Sequence, residues 1–174
     1  MSEHNQVCQS CGMPLLSPSD RGTEKDNSPS NLYCQYCYQQ GAFTEPDITL
    51  SQMAERSASI ISQMYEMPVD KAQEFTYAQV RNLYRWSGAM IPSCESCGMP
   101  LITDQDAGTE RDGSPSQKYC THCYQQGSFT DPDLTRDQMI KKYAPLLSQQ
   151  FGVSVAKAEE MVRVFSATLP RWKD

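Results

Sequence analysis

Residues 7–15 read VCQSCGMPL and residues 33–37 read YCQYC. Residues 93–101, SCESCGMPL, and 119–123, YCTHC, repeat them. The cysteines therefore fall into four Cys-x-x-Cys pairs: Cys8/Cys11, Cys34/Cys37, Cys94/Cys97 and Cys120/Cys123. The pairs combine into two sets of the form C-x2-C-x22-C-x2-C, displaced by 86 residues, and all 8 cysteines of the chain are used. That is the spacing of a four-cysteine zinc site, made twice. Each set is expected to hold one Zn2+. A rubredoxin-like iron site uses the same four thiolates, and redox-switched release of zinc, or disulfide exchange, uses the same residues; spacing alone leaves these alternatives open.

Around each first pair the sequence specifies a tight turn. Cys-x-x-Cys-Gly directs backbone N–H groups at the thiolate sulfurs, and Gly12 accepts a positive φ. Met13-Pro14-Leu15-Leu16 follows as a short extended segment. The polar stretch from Ser17 to Asn31 carries Asp26-Asn27, and the repeat carries Asp112-Gly113. These dipeptides predict a small β-hairpin with a two-residue turn that swings the chain back to the second pair. Tyr38-Gln39-Gln40-Gly41 reads as a helical turn closed by a glycine C-cap.

Beyond each ribbon the apolar period changes to that of a helix. Thr49-Leu50-Ser51-Gln52 has capping-box form, as does Thr135-Arg136-Asp137-Gln138. Leu50, Met53, Ile60, Ile61 and Met64 then recur at helical spacing. Pro68 marks a break, after which Val69, Ala72, Phe75, Val80 and Leu83 predict a second amphipathic helix ending near Trp86. The repeat offers Met139, Ile140, Tyr143, Leu146, Leu147 and Phe151, then Val155, Ala158, Met161, Val162, Phe165 and Leu169. Pro145 is expected to bend the first of these, and Ser154 is a candidate N-cap. Each helix pair should form an antiparallel hairpin. The repeat divides the chain into units 1–88 and 89–174, joined by the short linker Ser87–Ser93, which leaves little freedom between them.

The bulk properties narrow the function. The chain has 174 residues, 39% of them hydrophobic, and a mean hydropathy of -0.60. That is lean for two cores, so each unit is expected to need its metal to fold. No run of about 20 apolar residues exists to cross a membrane. The first ten residues lack the basic start and apolar run of a secretory signal, and the tail ahead of Val7, with His4 in it, reads as disordered, so a cytoplasmic setting with reduced thiols is expected. The formal net charge is -6. Eight thiolates and two doubly charged zinc ions would together add four negative charges. An acidic chain without a basic run argues against binding nucleic acid, which is gripped through its phosphates.

The other candidate residues read most simply as structure. His122 lies inside the last pair, but its counterpart is Tyr36, and four thiolates already close a zinc site. Glu24, Asp26, Glu110 and Asp112 recur in the turns and read as solvated turn residues. Tyr33, Tyr38 and Phe43, with Tyr119, Tyr124 and Phe129, lack the basic neighbours of a base-stacking surface and are expected to pack around the metal site. Arg85-Trp86 and Arg171-Trp172 are candidates for a cation–π pair or a partner-facing patch, with closure of a small core by Trp favoured. No nucleophile–base pair, phosphate loop or open metal position appears, so no enzymatic activity is expected.

CQSCGMPL, GTEKDNSPSNLYCQYCYQQGAFTEPD and the helix after them, matched by CESCGMPL, GTERDGSPSQKYCTHCYQQGSFTDPD and its helix, resemble the small prokaryotic proteins called putative zinc ribbon domain proteins. The resemblance covers nearly the whole chain, twice, whereas a single ribbon is the commoner arrangement. It implies a zinc-binding ribbon followed by helices, a regulatory or interaction role, and no established catalysis. The expected fold is small α+β: two tandem four-cysteine zinc ribbons, each followed by an α-helical hairpin. The expected function is a non-enzymatic, two-zinc protein-interaction module. The alternatives are a transcription-related nucleic-acid-binding ribbon and a thiol–zinc redox or metal-homeostasis protein.

Overall fold

The computed structural model describes residues 7–173; His4 and the rest of the tail lie outside them. Each ribbon is made of three short antiparallel pairings. Val7 bridges Pro14, and Ser93 bridges Pro100, closing the first knuckle of each unit. Strand β1 (Arg21–Thr23) pairs with β2 (Pro29–Cys34), which ends on the third cysteine. The connection between them is longer than a two-residue turn. Glu24 N–H donates to the Ser28 carbonyl at 2.8 Å, and Asn27 N–H to the Glu24 carbonyl at 3.0 Å. Asn27 takes the left-handed conformation, φ 63°, and Asp26 Oδ1 accepts from Ser28 N–H and Oγ–H. Asp26 thus holds the loop through its side chain, an alternative to the tight turn that the dipeptide suggests.

Tyr38–Gly41 is not a helical turn. Strands β3 (Tyr38–Gln39) and β4 (Ala42–Phe43) form a second hairpin whose turn residues Gln40 and Gly41 both have positive φ, 51° and 79°. That is the conformation whose twist suits a two-residue hairpin. Here Tyr38 lies opposite Phe43, and both rings stack on Tyr33, so burial of aromatic surface decides for strand over helix. Gly22 lets the two hairpins approach, because a Cβ there would collide with the Tyr38 carbonyl. The second unit repeats the arrangement in β5 (Ala107–Thr109), β6 (Pro115–Cys120), β7 (Tyr124–Gln125) and β8 (Ser128–Phe129).

Helix α1 (Leu50–Tyr65) starts at the expected capping box, with Thr49 Oγ1 accepting from Gln52 N–H and Gln52 Oε1 accepting from Thr49 N–H. Its buried face is Met53, Ala54, Ala58 and Tyr65, while Ile60 and Met64 stand exposed. Helix α2 (Val69–Val80) ends earlier than its apolar pattern suggests. Leu83 is extended, and a separate turn, α3 (Tyr84–Ser87), carries Arg85 and Trp86. In the second unit α4 (Arg136–Phe151) continues through Pro145, and α5 (Val155–Ser166) is capped by Ser154 as expected. A 3-10 turn, Pro170–Trp172, takes the place of α3. No helix among the described residues is long and apolar enough to cross a membrane.

The two helical hairpins share a core. Ala58, Met67 and Ala72 of the first unit pack with Ala144, Phe151, Val153 and Ala158 of the second, flanked by Ile61, Phe75, Leu147 and Met161. Ala58 and Ala144, Ala72 and Ala158, and Met67 and Val153 occupy equivalent places in the repeat, so the contact joins like to like, as in a two-fold dimer. Small alanines let the helices approach, and the Phe75 and Phe151 rings meet edge to face at 5.0 Å. Lys157 reaches across to the Met64 carbonyl at 3.2 Å, at the C-terminal end of α1, where a cation is favourable. Phe151→Ala is expected to destabilise the metal-loaded chain by about 3 kcal/mol, the scale for removing a buried ring. Urea denaturation followed by circular dichroism measures this; an unchanged midpoint would remove the shared core from the account.

Two candidate metal centres

The first knuckle is wound by two backbone hydrogen bonds: Cys8 N–H donates to the Met13 carbonyl at 2.8 Å, and Gly12 N–H to the Cys8 carbonyl at 2.9 Å. Gly12 has φ 80°, which is the reason a glycine stands after the second cysteine. In the second knuckle Cys37 N–H donates to the Cys34 carbonyl at 3.1 Å. Gln9 N–H donates to the Leu32 carbonyl at 2.7 Å and thereby ties the two knuckles together. The repeat has the same bonds around Cys94, Gly98 and Cys123, with Glu95 N–H donating to the Lys118 carbonyl.

The result is two clusters. The sulfurs of Cys8, Cys11, Cys34 and Cys37 all lie within 4.8 Å of one another, as do those of Cys94, Cys97, Cys120 and Cys123. Cys11 Sγ and Cys34 Sγ are 3.7 Å apart, and Cys97 Sγ and Cys120 Sγ 3.6 Å. A tetrahedron with metal–sulfur bonds of about 2.3 Å has edges of about 3.8 Å, so the spacing fits a four-thiolate metal site. It is far too long for disulfides, which need about 2.05 Å. In addition Cys34 N–H points at Cys8 Sγ at 3.2 Å, the kind of donor that stabilises a thiolate ligand. The eight sequence candidates are thus gathered into two sites able to hold a metal ion.

The close sulfurs shift one another's thiols in opposite directions. The hydrogen bond from Cys11 draws Cys8 well below the ordinary thiol value and is also the leading cause that lowers Cys34. Cys11, bonded first to Cys34, is pushed up. In the second set Cys94 is lowered, with Cys120 as leading cause, and Cys97 is raised, again with Cys120 leading. Cys120 itself is lowered from 9.0 to about 6, chiefly by Cys123.

Aromatic side chains pack beside each cluster. Tyr33, Tyr38 and Phe43 form a triad with centroids 4.9–5.4 Å apart, repeated by Tyr119, Tyr124 and Phe129. The Arg85 guanidinium lies 3.8 Å from the Phe43 centroid and donates to Ser10 Oγ at 3.0 Å and to the Glu45 carbonyl at 2.7 Å. Trp86 Nε1 donates to the Ser10 carbonyl at 2.7 Å. Arg171 and Trp172 do the same to Phe129, Ser96 and Asp131. The Arg-Trp pairs thus fasten the end of each unit onto its first knuckle, as both a cation–π contact and a core-closing Trp. Buried Ser10 and Ser96, which receive them, were not legible as site residues. The only signal was that each Arg-Trp recurs at the same distance from its knuckle.

The remaining candidates stand apart from the metal positions. His122 is exposed, with its carbonyl accepting from Thr130. Glu24 accepts from the Tyr38 hydroxyl at 3.2 Å, and Asp26 and Asp112 hold their own loops.

The pattern of the protein family described as "Putative zinc ribbon domain" matches residues 7–87 and again residues 93–173. No curated protein and no solved structure matches the chain.

Cys34→Ser is expected to abolish metal binding at the first cluster and leave the second loaded, halving the metal counted by native mass spectrometry. Acidification should release metal. Because the folded-state value of Cys120 is depressed, its thiolate contributes stability that is complete above the ordinary thiol value and is lost as pH falls through about 6. Metal counted in samples at about pH 8 and about pH 5 tests the direction.

Proposed function

The chain belongs to the putative zinc ribbon domain family, matched twice over, and from that premise we propose that it is a non-enzymatic zinc-binding module that presents two ribbons to a protein partner. The observation that carries the reading is the closed donor set. Four sulfurs converge in each cluster, so a tetrahedral ion there keeps no position for water or substrate. Cys8, Cys11, Cys34 and Cys37 would hold one Zn2+, and Cys94, Cys97, Cys120 and Cys123 the other. The ion supplies folding energy and cross-links the ribbon.

Exposed aliphatic side chains recur at equivalent positions of the two units and support an interaction role. Leu16 and Ile102, Ile60 and Leu146, and Val69 and Val155 are each between 46% and 60% exposed. The shared helical core sets the spacing between the two copies, so a partner with two matching sites would gain from avidity. A nucleic-acid role is less favoured: the chain is acidic, and Arg85 and Arg171 are spent on carbonyls and rings of their own unit. The setting consistent with eight reduced thiols is the cytoplasm.

The test is affinity capture with the full metal-loaded chain beside an Ile60→Asp/Leu146→Asp variant of equal metal content. A discrete partner should be retained by the first and lost from the second and from chelator-stripped protein. Retention indifferent to both changes, or a salt-dependent gel shift with DNA or RNA, would replace this reading.

A further inference from the structure

The two units share a backbone plan but do not hold their ribbons in the same way. In the first unit, ribbon and helices form one core: Cys8, Leu15, Tyr33, Cys34 and Cys37 pack with Met53 of α1 and Val80 of α2, with Leu32 and Leu50 at the margin. In the second unit that core is split. Cys94, Cys120 and Cys123 cluster with ribbon residues alone, and Met139, Ile140 and Val162 form a separate cluster flanked by Trp172, whose indole N–H donates to the Ser96 carbonyl of the ribbon.

The cause is a set of substitutions between equivalent positions of the repeat. Leu32, Leu50 and Val80 become Lys118, Arg136 and Ser166. Arg136 Nε donates to buried Ser166 Oγ at 2.9 Å, and its Nη2 to the Arg163 carbonyl at 2.7 Å, so a polar bridge stands where the first unit has aliphatic contact. One helical turn further from the ribbon the exchange runs the other way. Ala54 and Thr76 become Ile140 and Val162, so the second hairpin keeps its apolar layer there instead. Compensation at the ribbon is partial: the Phe165 ring lies against Gly98 but remains 40% exposed. Tyr33 is buried, and its counterpart Tyr119 is not.

Resting on the reading of both clusters as zinc sites, we propose that the two centres differ in function: the first is a permanent structural staple, and the second is an exchangeable site that yields its ion to a soft or polydentate chelator first. The physical link is linkage between folding and metal retention. An ion held by a closed thiolate set leaves only when the ribbon opens. Opening requires separation from whatever packs on the ribbon, and its frequency falls as buried apolar contact increases. The first ribbon must break an aliphatic contact with Met53 and Val80 of its helices; the second has no such contact, because Arg136 bonds across to α5 instead, and it meets its helices there through the part-exposed Phe165 ring.

The test uses the full chain purified with zinc, challenged stepwise with a chelator such as EDTA, and read by native mass spectrometry with thiol alkylation and peptide mapping. A one-zinc species should accumulate in which Cys94, Cys97, Cys120 and Cys123 are alkylated and the first set is protected. The second set should react about ten-fold faster or more, the scale of one aliphatic burial. Arg136→Leu/Ser166→Val, which restores the first unit's residues, should slow alkylation of the second set, while Val80→Ser should hasten that of the first. Loss of both ions in one step, or of the first site's ion before the second's, overturns the proposal while leaving two zinc sites intact. A chain that carries no zinc before chelator is added overturns the zinc reading itself, and the proposal with it.

Discussion

The convergence of four sulfurs on one point is the constraint on which each unit depends. The ribbon's sheets are two-stranded and at most six residues long, a size that is marginal in water without further support. Few aliphatic side chains lie between them. An ion held by a closed thiolate set would contribute on the order of 10 kcal/mol or more, available only when the ligands are assembled, and so would act as the missing core. The local devices serve that assembly. Gly12 and Gly98 permit the knuckle turn, β2 and β6 each deliver a cysteine at their last residue, and the Gln9–Leu32 and Glu95–Lys118 bonds bring the knuckles face to face.

A second dependence runs from the end of each unit back to its start. Trp86 donates to the carbonyl of Ser10, and Arg85 bridges Ser10, Phe43 and the Glu45 carbonyl. These contacts close a long loop of chain, an entropic cost that several simultaneous bonds and ring contacts offset. They also explain why a unit of this family runs from just before the first cysteine to just after the Trp: neither ribbon nor helices are complete without that return. The interruption of α2 at Val80 is part of the same device, because a helix continuing straight through Leu83 would carry Arg85 and Trp86 away from the knuckle.

The two copies of the repeat pack on each other. Equivalent faces of the two hairpins bury one another, so the surface most apt to associate between separate units is satisfied inside one chain. The positions between helix and ribbon differ between the units, and the apolar layer of the second helical hairpin lies one turn further from its cysteine cluster.

The sequence by itself determined the eight cysteines of the two candidate metal sites, the two-fold repeat, the capping boxes and the helical hairpins, because each is a local matter of spacing or of residues within a few positions of one another. It also showed that four thiolates leave no open coordination position. Only the tertiary structure decided that Tyr38–Gly41 is a hairpin, since the deciding interaction is the stacking of Tyr38 and Phe43 on Tyr33. Similarly, Ile60 and Met64 fit the helical period, yet α1 turns Ala58 inward, where close helix approach to the other unit favours a small side chain. The role of Ser10, the end of α2 at Val80 and the split core of the second unit depend on contacts between residues tens of positions apart, which no local pattern encodes.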